Sequence, residues 1–132
     1  MAGVVLDTSV WIQMERTESL HPLLSPDDEL FMTAPALAEL KLAAKYSNRT
    51  VEARRWSEDV VEAFLRASTF LPIDEKTADI YAVLKEFTKV SGRPRGINDL
   101  WIAASAIQYQ AELVSSDSAA MFQDLPGLRV RR

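Results

Sequence analysis

The 132-residue sequence has no cysteine and only one histidine, His21. The absence of cysteine excludes a disulfide framework, a thiolate zinc site and a cysteine nucleophile. A single histidine excludes a metal site built from several histidines of one chain. It also leaves His21 as the only imidazole base that a serine hydrolase could use. The lack of cysteine and of a second histidine therefore limits the catalytic nucleophiles that an enzyme with this sequence could use.

Long hydrophobic runs are also missing. The longest uncharged apolar stretch, residues 100–111, has about a dozen residues, whereas a membrane span needs about 20. The first residues contain no basic segment and reach an acid at Asp7, which is not the pattern of a signal peptide. We therefore expect a cytoplasmic protein.

Positive charge is in the minority, with 15 Lys and Arg against 19 Asp and Glu and a net charge of −4. An acidic total argues weakly against nucleic-acid binding. Apolar residues make up 48% of the chain, which is enough for a hydrophobic core. The length predicts one compact domain over residues 1–132.

Short apolar runs alternate with segments of helical periodicity along the chain. Such alternation predicts an α/β fold with a mostly parallel sheet. Helix starts are marked by Pro35, Thr50 and Asp74, and residues 47–49 break the second helix. The predicted strands are 4–6, 30–33, 70–73, 112–115 and 128–130, and the predicted helices are 8–16, 35–46, 50–68, the segment after Asp74, 97–109 and 118–123.

Four acids lie where these elements end or begin. Asp7 follows the first strand and Asp117 follows the fourth, while Glu39 lies one turn into the second helix and Asp99 opens the fifth. Ligands bind outside the carboxyl ends of parallel strands, so we expect the four carboxylates to converge there. Each acid also has an ordinary interpretation as a helix cap, a solvated helix residue, a first-turn acid or a turn residue.

Converging carboxylates repel one another and stay ionised together only when cations neutralise them. Hard oxygen ligands select Mg²⁺ or Mn²⁺. One such ion, or a pair, can activate water and stabilise in-line displacement at phosphorus. Because the chain has no thiol and no second histidine, metal-activated water is the favoured nucleophile and a hydrolytic phosphodiesterase the favoured enzyme.

The motifs that contain these acids resemble those of a known family. In order along the chain they are 5–9 (VLDTS), 36–40 (ALAEL), 97–106 (INDLWIAASA) and 113–117 (LVSSD), followed by 124–130 (DLPGLRV). The set resembles the acidic motifs of PIN-domain ribonucleases, and in particular of VapC-type toxins from bacterial toxin–antitoxin pairs. The resemblance extends from position 4 to position 130.

This resemblance implies a three-layer α/β/α sandwich and an endoribonuclease that depends on one or two Mg²⁺ or Mn²⁺ ions. It also implies an RNA substrate, a cognate VapB-like antitoxin and a homodimer. The family's catalytic and metal-binding acids fall on Asp7, Glu39, Asp99 and Asp117, and its supporting hydroxyls fall on Ser9 and Ser115. The resemblance allows tRNA, rRNA or mRNA as the target and does not select among them.

Basic residues near the acids are candidates for contact with RNA phosphates. Arg93 and Arg95 are the strongest candidates, because their loop leads into the helix of Asp99, and Lys41 and Lys45 extend from the helix of Glu39. The alternative is that these side chains are ordinary solubilising surface charges.

The helix predicted at 50–68 has a wide apolar face that includes Trp56, Val60 and Phe64. Core packing explains most of this face, and an exposed remainder would suit a dimer seam or an antitoxin helix. Trp11 and Trp101 are interpreted as core residues and not as platforms on which bases stack.

Two other functions remain open on the sequence. The first is a catalytically silent PIN-like scaffold that acts only as a protein- or RNA-binding module. The second is phosphoryl transfer through an aspartyl phosphate on Asp7, which is disfavoured because 7–9 (DTS) lacks a second acid two residues on.

Overall fold

A computed structural model describes residues 3–46 and 50–132. Five strands form one sheet in the order β3-β2-β1-β4-β5, and every pair in it is parallel. This confirms the predicted fold class. The strands are β1 (Gly3–Leu6), β2 (Glu29–Thr33), β3 (Thr69–Leu71), β4 (Glu112–Val114) and β5 (Arg129–Val130).

Helices connect the strands and cover the sheet. Val4, Val5 and Leu6 on the central strand are all fully buried. Because successive side chains of a strand point to opposite faces, both faces of the sheet are covered, as in a three-layer sandwich. The helices are α1 (Thr8–Thr17), α2 (Ala34–Lys45), α3 (Val51–Ala67), α4 (Glu75–Ser91) and α5 (Ile97–Gln108). Within residues 3–46 and 50–132, no helix combines the length and the hydropathy that crossing a membrane requires.

The helix starts lie at the residues that the sequence marks. Pro35 is in the first turn of α2, where a missing N–H leaves no hydrogen bond unmade. The Thr50 side chain accepts a hydrogen bond from the Ala53 N–H and caps α3. Asp74 and Thr77 form a reciprocal capping box at the start of α4.

Two predicted segments differ from the structure. The third strand is Thr69–Leu71 and not 70–73, because Pro72 has no N–H to continue the ladder. The helix predicted at 118–123 is instead two 3₁₀ turns, Ser118–Ala120 and Phe122–Asp124, since Met121 adopts the left-handed conformation between them (φ 52°). The break predicted at 47–49 lies outside the described residues.

Trp11 and Trp101, both predicted to be core residues, differ in how deeply they are buried. Trp11 is buried in the core, as predicted. Trp101 is half-buried and stacks on Tyr81, with ring centroids 4.0 Å apart and planes 19° apart. The α4–α5 contact therefore occupies one face of the Trp101 ring.

Candidate active site

Asp7 lies at the carboxyl end of β1, and its side chain is held by hydroxyl groups. Its backbone N–H donates to the carbonyl of Val114, at the end of β4, over 2.9 Å. Its Oδ2 atom accepts hydrogen bonds from Ser9 Oγ at 2.8 Å and Ser115 Oγ at 3.0 Å. Asp7 is only 4% exposed, and within the described residues its side chain does not cap α1. The carboxylate is therefore oriented by two neighbouring segments and does not serve as a helix cap.

Glu39 is tied to the same edge of the sheet through Thr8. Thr8 Oγ1 donates to Glu39 Oε1 over 2.8 Å, across 31 positions of sequence. Thr8 is buried in the first turn of α1, directly after Asp7. The sequence reasoning missed Thr8, although its place beside a predicted site acid is a signal that could have singled it out.

Asp99 lies in the first turn of α5 and faces the other three acids. Burial, followed by the negative charges of Asp7, Glu39 and Asp117, raises the pKa of Asp99 from 3.8 to about 6. This combination of desolvation and like charge is the expected behaviour of a carboxyl group in a carboxylate cluster. The charges of the three other predicted acids therefore act on Asp99, and the four acids come from two helices, α2 and α5, and from the loops after β1 and β4.

Asp117 is the most exposed member of this group. Its backbone N–H donates to Ser115 Oγ over 3.0 Å, and its Oδ1 accepts from the Ala119 N–H over 3.0 Å. The ordinary interpretation of Asp117 as a turn residue is thus also correct, because it caps the first 3₁₀ turn. Ser115 touches both Asp7 and Asp117 and fixes the distance between the two segments.

The donor atoms of the four acids fit a hard divalent cation, since they are carboxylate oxygens with hydroxyl groups beside them. In the described parts of the chain, however, no three His, Cys, Asp or Glu side chains are close enough together to ligate one ion jointly. Mg²⁺ usually keeps several waters and takes one or two carboxylates from a protein. The arrangement therefore suits an ion held partly through water and not one caged by side chains.

Arg93 and Arg95, predicted to contact RNA, both pair with Asp124. Arg93 Nη1 lies 2.8 Å from Asp124 Oδ2, and Arg95 Nη2 lies 3.5 Å from the same oxygen. The Arg95 side chain is only 3% exposed and also donates to the carbonyls of Arg93 and Pro94. A phosphate contact needs a side chain that reaches solvent, so the burial of Arg95 argues against this contact, which stays untested. Arg93, whose side chain is 59% exposed, keeps its access to solvent.

Lys41 and Lys45, the two lysines predicted to contact RNA, follow Glu39 in the second half of α2. Lys41 pairs with Glu62 of α3 at 3.5 Å, and both side chains are about half exposed. Lys45 is exposed in the last turn of α2. Contact of either lysine with RNA stays a prediction.

The predicted partner face lines an apolar groove beside α3. Trp56 is 44% exposed there, while Phe64 packs on Trp11 with ring centroids 5.0 Å apart. The groove has a volume of about 450 Å³, and Glu15 and Glu18 contribute acidic groups to its wall. Its apolar lining includes Trp11, Met14, Leu20, Leu30, Trp56, Val60 and Phe64.

Two further residues near the site were not singled out from the sequence. Gly96 is the N-cap of α5, and a Cβ atom there would lie 3.2 Å from Asp99 Oδ2. Asp124 joins the loop before α5 to the second 3₁₀ turn through Arg93 and Arg95. Gly96 stands three positions before a predicted site acid, and that spacing is the only sequence signal for its role.

Comparison with known proteins agrees with this geometry. The PIN domain family matches residues 4–128. Ribonuclease VapC5 of Mycobacterium tuberculosis is 35% identical over 116 residues, which cover 88% of this chain and 84% of that protein. The crystal structure of VapBC-5, a member of the VapBC family of toxin–antitoxin systems from M. tuberculosis, matches with a TM-score of 0.79 and 30% identity over 100% of this chain and 99% of that one. The structure of VapBC-1 from nontypeable Haemophilus influenzae matches with a TM-score of 0.80 and 26% identity, covering 98% and 96% of the two chains.

Proposed function

The chain belongs to the PIN-domain family, and we propose that it is a VapC-type toxin that cleaves RNA with the help of Mg²⁺ or Mn²⁺. One observation carries the proposal: four carboxylates lie along the carboxyl edge of a parallel sheet, near enough for three of them to oppose ionisation of Asp99. The relative named ribonuclease VapC5 supports RNA as the substrate. We further propose that residues 1–132 act as one domain and that the protein works in the cytoplasm, where its RNA substrate is found.

In this proposal Asp7, Glu39, Asp99 and Asp117 hold one or two ions. When bound, the metal supplies Lewis acidity and neutralises the charge that gathers on the phosphate. Ser9 and Ser115 occupy Oδ2 of Asp7, which leaves Oδ1 as the oxygen available to a ligand. Thr8 fixes Oε1 of Glu39 in the same way. These hydroxyls orient the carboxylates before any ion arrives.

Asp99 has a separate role because it takes up a proton more readily than an ordinary aspartate. With a pKa near 6, its carboxyl group is partly protonated at pH 6 and largely ionised at pH 7.5. A cation favours the ionised form, so binding of the metal would release a proton from Asp99. We therefore expect the apparent affinity for Mn²⁺ to increase as the pH rises from 5 to 7.

We also propose that the groove beside α3 binds an antitoxin segment. Its apolar lining around Trp56 and Phe64 suits one face of an amphipathic helix, and Glu18 favours a partner with a basic residue at that edge. The solved VapBC-5 structure, a toxin–antitoxin system, supports a VapB-like partner for this chain. The homodimer that the family implies stays a prediction.

Thermal unfolding with and without Mn²⁺ tests the metal site, and cleavage of total RNA tests the activity. We expect Mn²⁺ to stabilise the wild-type protein by about 3 kcal/mol at a hundred times its dissociation constant. Asp7→Asn should lose both this stabilisation and the cleavage. Asp59→Asn, which changes an exposed acid of α3 away from the cluster, should keep both. A wild-type protein that shows neither stabilisation nor cleavage would instead be the silent binding module.

A further inference from the structure

The only histidine lies outside the carboxylate cluster, yet hydrogen bonds connect it to Asp7. His21 is in the loop between α1 and β2, and its Nε2 atom lies 3.2 Å from Ser116 Oγ, across 95 positions of sequence. The other ring nitrogen, Nδ1, accepts a hydrogen bond from the Leu23 backbone N–H at 3.1 Å. A backbone N–H can only donate, so Nδ1 carries no proton. The proton of the neutral ring is therefore on Nε2, which donates to Ser116.

Ser116 makes two further hydrogen bonds, and the second of them leads to Asp7. Its hydroxyl donates to Gln13 Oε1 on α1 over 2.6 Å. Its backbone N–H donates to Ser9 Oγ over 3.0 Å, and Ser9 Oγ donates in turn to Asp7 Oδ2 over 2.8 Å. From His21 to Asp7, each hydrogen bond has one donor and one acceptor, so all of these bonds can form at the same time.

Ser116 lies between two residues of the site, so hydrogen bonds to Ser116 affect the site's geometry. Ser116 stands between Ser115, which binds Asp7, and the site acid Asp117. Both Ser116 and Asp117 are exposed, so burial in the core does not hold this segment in place. The position of this segment therefore depends on hydrogen bonds. The Ser116 hydroxyl is held by Gln13 on α1 and by His21 in the loop that follows α1.

We propose that His21 is a positioning residue of the site: by fixing Ser116 it sets the places of Ser9 and Asp117, and so the orientation of Asp7. This inference rests on the proposed metal-dependent nuclease. His21 contacts none of the four acids in the described structure and acts only through Ser116. Outer groups that orient metal ligands typically change metal affinity or activity by about 10- to 100-fold when they are removed.

The experiment compares His21→Ala, His21→Gln and Ser19→Ala with the wild-type protein. Mn²⁺ affinity is measured by calorimetry, and kcat and KM are measured on a short fluorescent RNA. His21→Ala should weaken Mn²⁺ binding and lower kcat by about tenfold or more, with little change in the KM for RNA. His21→Gln should recover much of the loss, because its amide keeps an N–H donor. Ser19→Ala removes the hydrogen bond from Ser19 Oγ to Thr17 Oγ1, at the end of α1, and should match the wild type in Mn²⁺ affinity and kcat.

A Ser116→Ala background separates positioning from a general effect on the loop. The link to His21 is already absent there, so His21→Ala should cause no further loss. The inference is overturned if His21→Ala binds Mn²⁺ and cleaves RNA like the wild type, a result that leaves the proposed function intact. It is also overturned if the loss persists undiminished in the Ser116→Ala background. A wild-type protein that neither binds Mn²⁺ nor cleaves RNA removes the proposed function, and this inference with it.

Discussion

At the scale of single residues, a half-buried carboxyl group that faces three other carboxylates gives up its proton reluctantly. The pKa of Asp99 is raised from 3.8 to about 6, so the folded protein holds this proton more tightly than the unfolded chain does. As the pH rises from about 4 to 6, the unfolded state loses the proton first and the protein becomes less stable. Well above pH 6 the loss of stability from ionised Asp99 is fully present, and a bound cation would remove it.

Asp99→Asn should therefore stabilise the metal-free protein at neutral pH. We expect the free energy of unfolding in EDTA at pH 7.5 to increase by about 1 kcal/mol, a value reduced for solvent screening of a half-exposed group. At pH 4, where the wild-type Asp99 is protonated in the folded state, the gain should disappear. Urea unfolding at both values of pH measures the difference, and equal stability of the two proteins at pH 7.5 would contradict the account.

The sequence predicted which acids lie near one another, because each of them follows a strand end or lies within the first two turns of a helix. It did not predict how their side chains are held. The bond between Thr8 and Glu39 joins positions 31 apart, and the pairing of Arg95 with Asp124 joins positions 29 apart. Such contacts depend on the packed positions of separate elements, and local spacing carries no information about them. For the same reason the sequence does not predict that Arg95 pairs with Asp124.

At the scale of elements, the start of α5 determines where Asp99 points. The N-cap Gly96 has a φ of −61°, which any residue can adopt, so backbone conformation does not require glycine there. Space is tight instead: a Cβ atom would lie 3.2 Å from Asp99 Oδ2, so the carboxylate would have to shift by a few tenths of an ångström. The preceding glycine, Gly92, is the reverse case: its φ is +68° and a Cβ atom would meet nothing within 4 Å.

These two glycines make a matched pair of variants. Gly96→Ala should displace the Asp99 carboxylate and lower RNA cleavage, with little change in the free energy of unfolding. Gly92→Ala should cost roughly 1 kcal/mol of stability, because it forces a left-handed conformation on alanine, and should leave cleavage unchanged. Urea unfolding and cleavage rates on the same preparations check both. A Gly96→Ala protein with wild-type cleavage would show that Asp99 does not depend on this contact.

The groove beside α3 gives a second test at this scale. Trp56→Ala should weaken binding of a co-expressed VapB-like antitoxin by more than tenfold, because exposed aromatic anchors dominate interfaces. RNA cleavage by the free protein should not change, since Trp56 lines the groove and is not one of the residues proposed to hold the metal. Arg54→Ala, an exposed change on α3 outside the groove lining, is the control. Unchanged antitoxin affinity in Trp56→Ala would place the partner elsewhere.

The sequence predicted most helices because capping residues and apolar periodicity are local signals. It was wrong about the segment 118–123, where the left-handed Met121 divides two 3₁₀ turns. No glycine or asparagine marks that position, so local chemistry gives no warning of it. It also extended the third strand past Leu71, where pairing with β2 ends at Thr33.

At the scale of the whole molecule, the acidic total and the proposed RNA substrate are compatible. The excess of acids over bases is four, the same number as the acids at the site. Two divalent cations would bring the formal charge of −4 to zero. The net charge of the metal-free chain thus gives no argument against binding a polyanion, and contact of the exposed Arg93 with a phosphate stays a prediction.

Cleavage of a fluorescent RNA by the wild-type and Asp99→Asn proteins, each in Mn²⁺ and in EDTA, tests the central claim most directly. The account predicts cleavage only by the wild-type protein in Mn²⁺. Asp99→Asn should lose more than the roughly 100-fold that follows removal of an outer supporting group. Because this variant is expected to be at least as stable as the wild type, unfolding cannot explain such a loss. Cleavage at the wild-type rate by folded Asp99→Asn protein would contradict the assignment of the four carboxylates as the active site.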